Sequence, residues 1–226
     1  MNELDLYLQP TKWIDCDHPL IIKQAVDLTR GCNGDSDKAV RLFYYVRDKC
    51  HYNMYDLSDH PDDYRSSKIM EKRQGWCMPK AILLTSLCRA AGIPSRLILA
   101  SIRNHKSPPE AVKMMGSNIF FPHVYNHIYL NQSWVKAAPT FDYDICQRIG
   151  AAAVEFDGVN NAILPRQDLC GGLYIEYLEE FGWFDDVPWK IIRDIGYKIY
   201  GEGMREWFKS GDKTDRQENM ENMRPG

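Results

Sequence analysis

Position 77 holds a cysteine whose neighbours can activate it, in the stretch Arg73-Gln74-Gly75-Trp76-Cys77-Met78-Pro79-Lys80-Ala81. It directly follows a Gly turn and opens a strongly patterned helix. First-turn backbone N–H groups lack intrahelical partners, and the positive end of the helix dipole favours a thiolate. Cysteines so placed commonly have a lowered pKa. The same N–H groups can receive an oxyanion, and Pro79 falls where its missing N–H costs little. By itself the segment equally allows a buried, inert cysteine.

A thiol nucleophile needs a base, normally histidine. His18, His51, His60 and His105 lie in loop-like segments. His123 and His127 lie in the strand-like run His-Val-Tyr-Asn-His-Ile-Tyr-Leu. Their even spacing puts both on one face, with Tyr125 and Tyr129 completing a polar-aromatic stripe. Residues four apart on a strand are separated by about 13 Å. One zinc ion cannot bridge that gap, so no metal site is expected. His127 reads as a partly exposed sheet residue.

These residues need elements to position them. Helical spacing covers 20–30, broken by Gly31 and Gly34, and again about 37–49, with Asp35 or Ser36 as cap. Residues 51–65 read as loop, and Gly75 reads as the end of a short helix. The nucleophile helix spans about 77–91, closed by Gly92 and Pro94. Residues 96–102 are apolar and β-rich, and 103–121 form a long loop. Strands 123–130 and 134–138 make a hairpin, and Asp157-Gly158 suggests a weaker one. Residues from Gly171 to about Phe208 read as helical. Helices, then strands, then helices favour an α+β class.

The 226 residues suit one domain over 1–208, followed by a polar, disordered tail over 209–226. Apolar residues make up 44% and the formal charge is −3, so no basic footprint for nucleic acid is present. No apolar run reaches the length of a membrane span. The seven cysteines are irregularly spaced, the first residues do not resemble a secretory signal, and reduced thiols in the cytoplasm are expected. A redox role ranks last, for want of a Cys-x-x-Cys.

Four motifs occur in the order of a known family. Gly75-Trp76-Cys77 opens the helix, and Arg89-Ala90-Ala91-Gly92-Ile93-Pro94-Ser95-Arg96 leads from helix to strand. The strand His123 to Leu130 and its partner Trp134-Val135-Lys136-Ala137-Ala138-Pro139-Thr140 follow. Over roughly residues 35–145 this resembles the transglutaminase-like core. The resemblance implies a papain-like α+β architecture, with the nucleophile helix packed on an antiparallel sheet, to which the pattern after Gly171 adds extra C-terminal helices. It implies Cys77 as nucleophile and His123, set by the register from Leu130 and Trp134, as general base. The activity implied is thiol-dependent acyl transfer or amide hydrolysis on a peptide, amide or thioester, with an amine as possible acceptor and no cofactor.

The chain departs from the family where Asp-Pro-Thr becomes Ala138-Pro139-Thr140. The carboxylate that orients the histidine is missing there. Asp142 is the candidate to supply it from a displaced position. A backbone carbonyl or polar side chain in its stead, or an impaired site, are the other accounts. Gln74, Trp76 and Tyr125 are candidates for the oxyanion and substrate surroundings. The rival reading is a catalytically silent binding module.

Overall fold

The computed structural model describes residues 3–58 and 60–200. Helix α1 (Pro19–Thr29) starts on a proline, and His18 Nδ1 caps it by accepting the Leu20 N–H at 3.3 Å. Helix α2 (Asp35–Lys49) has Asp35 and Asp37 in its first turn and Arg47 and Lys49 in its last. That arrangement complements the helix dipole. Its buried stripe, Ala39, Leu42, Phe43 and Val46, is the one that the periodicity predicts. Gly34, not Asp35 or Ser36, stands at the cap position.

Strand β1 (His51–Tyr52) lies within the segment expected to be loop. Helix α3 (Ser66–Lys72) ends at Arg73, which adopts the left-handed conformation. Buried Asp15 holds its start, accepting the Ser67 N–H at 3.0 Å and the Ser67 hydroxyl at 2.6 Å. Gly75 therefore does not end a helix. With Gln74 it forms β2 (Gln74–Gly75), parallel to β1.

Helix α4 (Cys77–Ala90) is buried at every position from Cys77 to Arg89. A helix so enclosed has no polar face to keep wet, and α1, α2 and α3 all pack on it. Its other side meets an antiparallel sheet of order β5-β4-β3-β6. The strands are β3 (Ser95–Asn104), β4 (Ile119–Leu130), β5 (Ser133–Ala137) and β6 (Ile175–Phe184). Leu97, Leu99, Val124 and Ile128 enter the core beside Leu84 and Leu87. Each such buried side chain contributes about 1.5–3 kcal/mol. Asn126 locks the layers in register, donating to the Ala81 carbonyl and the Thr85 hydroxyl, both at 2.8 Å. The architecture is α+β, as expected.

Three expectations are corrected. Residues 103–121 contain α5 (Pro109–Met115) and the start of β4. No hairpin forms at Asp157-Gly158, where the Asp157 carboxylate accepts the Val159 and Asn160 N–H groups in a local turn; α6 (Tyr143–Ile149) precedes it. The region after Gly171 is not helical throughout, because β6 precedes α7 (Trp189–Tyr200). β6 pairs with β3 through two register shifts. Such irregularities break strict alternation, so Leu178 and Phe181 imitate helical spacing. The expected helix beyond 200 and the tail over 209–226 lie outside the described residues.

Candidate active site

Trp76 occupies the cap position of α4 in extended conformation, and the first intrahelical bond runs from the Lys80 N–H to the Trp76 carbonyl at 3.2 Å. Pro79 has no N–H. The Cys77 and Met78 amides are therefore the unpartnered donors of the first turn, and both stabilise negative charge on the Cys77 sulfur. A third N–H, from Val124, does the same. The thiol itself donates to the Pro122 carbonyl at 3.6 Å. The sulfur thus spans the β4 backbone on either side of His123. It can do so because β5 stops pairing with β4 at Asn126↔Ala137, which leaves the edge beyond that point open.

Close approach also depends on Gly75. A Cβ there would lie 2.6 Å from Pro79 Cβ, on a rigid ring. Glycine is required at this turn for space. One turn on from Cys77, the fully buried Lys80 donates to the Arg47 and Cys50 carbonyls at 2.9 and 2.7 Å. It fastens the end of α2 to α4. Burial pulls its ammonium down to about 8.

The electrostatics reverse the expectation for the thiol. Burial pushes Cys77 up to about 12, even though three N–H groups favour its thiolate. The dipole and N–H effects are real, but loss of solvent outweighs them. His123 is only 1% exposed, and burial pushes its imidazole down to about 3. Burial thus favours the neutral form of both groups. Tyr52, Tyr177 and Tyr200 stand close enough for a thiolate at Cys77 to raise their own phenols. Tyr200, on α7, accepts the Phe121 N–H at 2.7 Å and donates to the Ile119 carbonyl at 3.0 Å.

On β4, His123 lies opposite Ala100. Its ring stacks on Tyr125, with centroids 5.6 Å apart, and meets Tyr177 edge-on at 5.5 Å. Its Nε2 lies 3.4 Å from the Tyr177 hydroxyl. Among the described residues, the structure brings Cys77 and His123 together through the strand backbone, with no direct hydrogen bond between them. His127 belongs to the same stripe but is packed: it faces Trp134 at 5.1 Å and accepts from Arg96 at 3.3 Å. Burial, then the Arg96 charge, push it down to about 4. Arg96 in turn sits 3.9 Å from the Trp134 ring and 4.4 Å from that of Trp183.

The remaining candidates divide. Asp142 is not placed on the imidazole. Its Oδ1 caps α6 through the Ile145 N–H at 3.0 Å, and its Oδ2 accepts the Tyr52 N–H at 2.9 Å. Both of its oxygens are held by backbone amides, and among the described residues no hydrogen bond joins Asp142 to His123. Gln74 lines a separate surface cavity of about 560 Å³ with Tyr45, Lys49, His51 and Arg73. The N–H groups that favour charge on the sulfur are backbone amides, and Gln74 is not among them. Trp76 is half-buried with its ring edge-on to Tyr64 at 6.3 Å. Tyr125 is buried under His123, its hydroxyl given to Glu180, which also accepts from Lys136. Tyr177 went unnoticed in the sequence because its strand reads as helix.

Among the described residues, no three His, Cys, Asp or Glu side chains are grouped as a metal site would need, and no helix is long and apolar enough to cross a membrane. All seven cysteines are free.

Comparison with known proteins gives one family. The sequence model of the transglutaminase-like superfamily matches residues 22–139. No curated protein matches the chain. Among solved structures, the chain is similar to a candidate cysteine protease from Cytophaga hutchinsonii, with 16% identity and a TM-score of 0.49. That match covers 81% of this chain and 55% of the other. A candidate protease from Parabacteroides distasonis matches at 15% identity and TM-score 0.38, over 56% of this chain and 26% of its own. The periplasmic domain of TgpA from Pseudomonas aeruginosa matches at 20% identity and TM-score 0.44, over 63% and 48%. The chain thus spans about half the length of the first of these structures.

Proposed function

Because the chain belongs to the transglutaminase-like superfamily, we propose that Cys77 is the nucleophile of an acyl-transfer or amide-hydrolysing reaction with His123 as its base. The observation that carries this reading is the placement of the Cys77 sulfur at the first turn of α4 and against the β4 backbone beside His123, where the Cys77, Met78 and Val124 N–H groups favour its charge. Such donors stabilise charge that develops during attack. The substrate is a peptide amide or thioester. His123 takes the thiol proton as sulfur attacks the carbonyl carbon. The tetrahedral oxyanion collapses, the C–N or C–S bond breaks, and the imidazolium returns the proton to the leaving group. The resulting thioester passes its acyl group to an amine or to water.

The neutral resting pair is compatible with this sequence of events. The proton moves only when the carbonyl arrives, so no resting thiolate is needed. The burial of Cys77 limits water at the sulfur and favours an amine acceptor.

A second reading, a catalytically silent binding module, draws on Ala138 and on the upward shift of the Cys77 thiol. One experiment decides. The protein is incubated with a peptidyl thioester and with a peptide amide, each with and without a primary alkylamine, and intact mass is followed. The expected result is an acyl adduct lost in Cys77→Ala, formed about 10²–10⁴-fold more slowly in His123→Ala. No adduct from either substrate, with Cys77 alkylation indifferent to His123→Ala, would replace the enzyme reading with the binding one.

A further inference from the structure

The imidazole of His123 lacks the family's carboxylate, and Asp142 is committed elsewhere. Among the described residues, one polar side chain comes within hydrogen-bond distance of it. Tyr177 Oη lies 3.4 Å from His123 Nε2, and the same oxygen accepts the Leu164 N–H at 3.3 Å. The ring of Tyr177 also contacts Tyr125, at 5.7 Å between centroids, and Tyr125 stacks on His123. Tyr177 is thus fixed by a backbone amide and by a neighbouring ring before it meets the histidine. We propose that Tyr177 is the positioning residue for His123, accepting the Nε2–H and so keeping the lone pair on Nδ1. This rests on the reading of Cys77 and His123 as a working pair.

The chemistry follows from proton inventory. A neutral imidazole has one N–H and one lone pair. It acts as a base only through the nitrogen that carries the lone pair. With Nε2 engaged by Tyr177, the free nitrogen is Nδ1. The phenolic oxygen already accepts the Leu164 N–H, so it takes the Nε2–H on its other lone pair with its own O–H turned from the ring; the opposite direction, O–H donated to Nε2, is the Nδ1–H tautomer that would overturn the proposal. Burial raises the Tyr177 phenol well above its ordinary value, so it stays uncharged. It orients the ring without supplying the negative charge that a carboxylate adds for the imidazolium. Ala138 and Tyr177 are then two halves of one exchange: a charged acceptor from the strand after β4 is absent, and a neutral one from β6 is present.

The test reads the tautomer directly. In ¹⁵N-histidine-labelled protein, two-bond ¹⁵N–¹H correlation spectra distinguish Nε2–H from Nδ1–H for His123, assigned by its loss in His123→Gln. The native protein is expected to show Nε2–H, and Tyr177→Phe a mixture of the two. Acylation of Cys77 by the peptidyl thioester should slow about tenfold in Tyr177→Phe, the scale of one lost hydrogen bond. It should recover in Tyr177→Phe/Ala138→Asp. A native Nδ1–H tautomer, or a Tyr177→Phe tautomer and rate equal to native, would overturn the proposal. If His123→Ala leaves acylation unchanged, the working pair itself fails; if only Tyr177→Phe does, the pair stands and Tyr177 does not position it.

Discussion

Three amide N–H groups favour charge on the Cys77 sulfur, yet burial holds its thiol near 12. The balance makes a plain prediction for the substrate-free protein. Iodoacetamide should modify Cys77 more slowly at pH 8 than the exposed Cys170, and its rate should still be climbing above pH 10. Peptide-resolved mass spectrometry measures both. A plateau below pH 8 would mean that the amides prevail over burial. The positions of Cys77 at a helix start and of His123 on a strand were legible in the sequence because a Gly turn, a helix start and a strand register are local patterns. The partner of the histidine was not. Tyr177 lies 54 positions away, and which side chain faces a ring depends on sheet pairing. Asp142 looked like the missing carboxylate from its distance to Ala138. Its location just before Tyr143-Asp144-Ile145 equally suits a helix cap, and the structure shows the cap.

The elements assign Asp142 and Lys80 measurable loads. Asp142→Ala should cost about 1–2 kcal/mol in urea unfolding, the range for a lost helix cap. Asp142→Asn should retain most of that stability and leave Cys77 acylation within about twofold, since asparagine also caps. A large acylation defect in the Asn variant would assign the carboxylate a chemical role. Lys80→Met leaves the Arg47 and Cys50 carbonyls without their donor. It should cost about 1–3 kcal/mol, the penalty for unsatisfied buried polar groups. Most of the helices and the central hairpin were readable because one periodicity runs unbroken through each. β6 was hidden by its shifted register with β3 and by glutamates where an edge strand meets solvent. α5 is seven residues long, too short for its spacing to declare a face.

For the whole molecule, the buried imidazole of His123 and the half-buried one of His127 set an acid limit. His123 is pushed from 6.5 to about 3 and His127 from 6.5 to about 4. Below about 6.5 the unfolded chain binds protons that the folded one refuses. The stability these groups contribute is complete above the unfolded value and drains away as pH falls toward the folded ones. The loss by pH 4.5 should be on the order of a few kcal/mol. Urea midpoints at pH 7.5 and 4.5 measure it, and His127→Gln should flatten the difference. An equal pH dependence in that variant would place the acid limit elsewhere.

The Arg96 arrangement has a practical use as well. Its guanidinium touches indoles from two strands on opposite sides of its own, Trp134 on β5 and Trp183 on β6, and reaches Tyr7 near the start of the chain. Parting the sheet on either side removes a cation from an indole face and changes that ring's emission. The protein therefore carries an optical gauge of its own assembly. Trp134→Phe and Trp183→Phe would silence the two sides separately, so the order in which the outer strands detach becomes visible without any added dye.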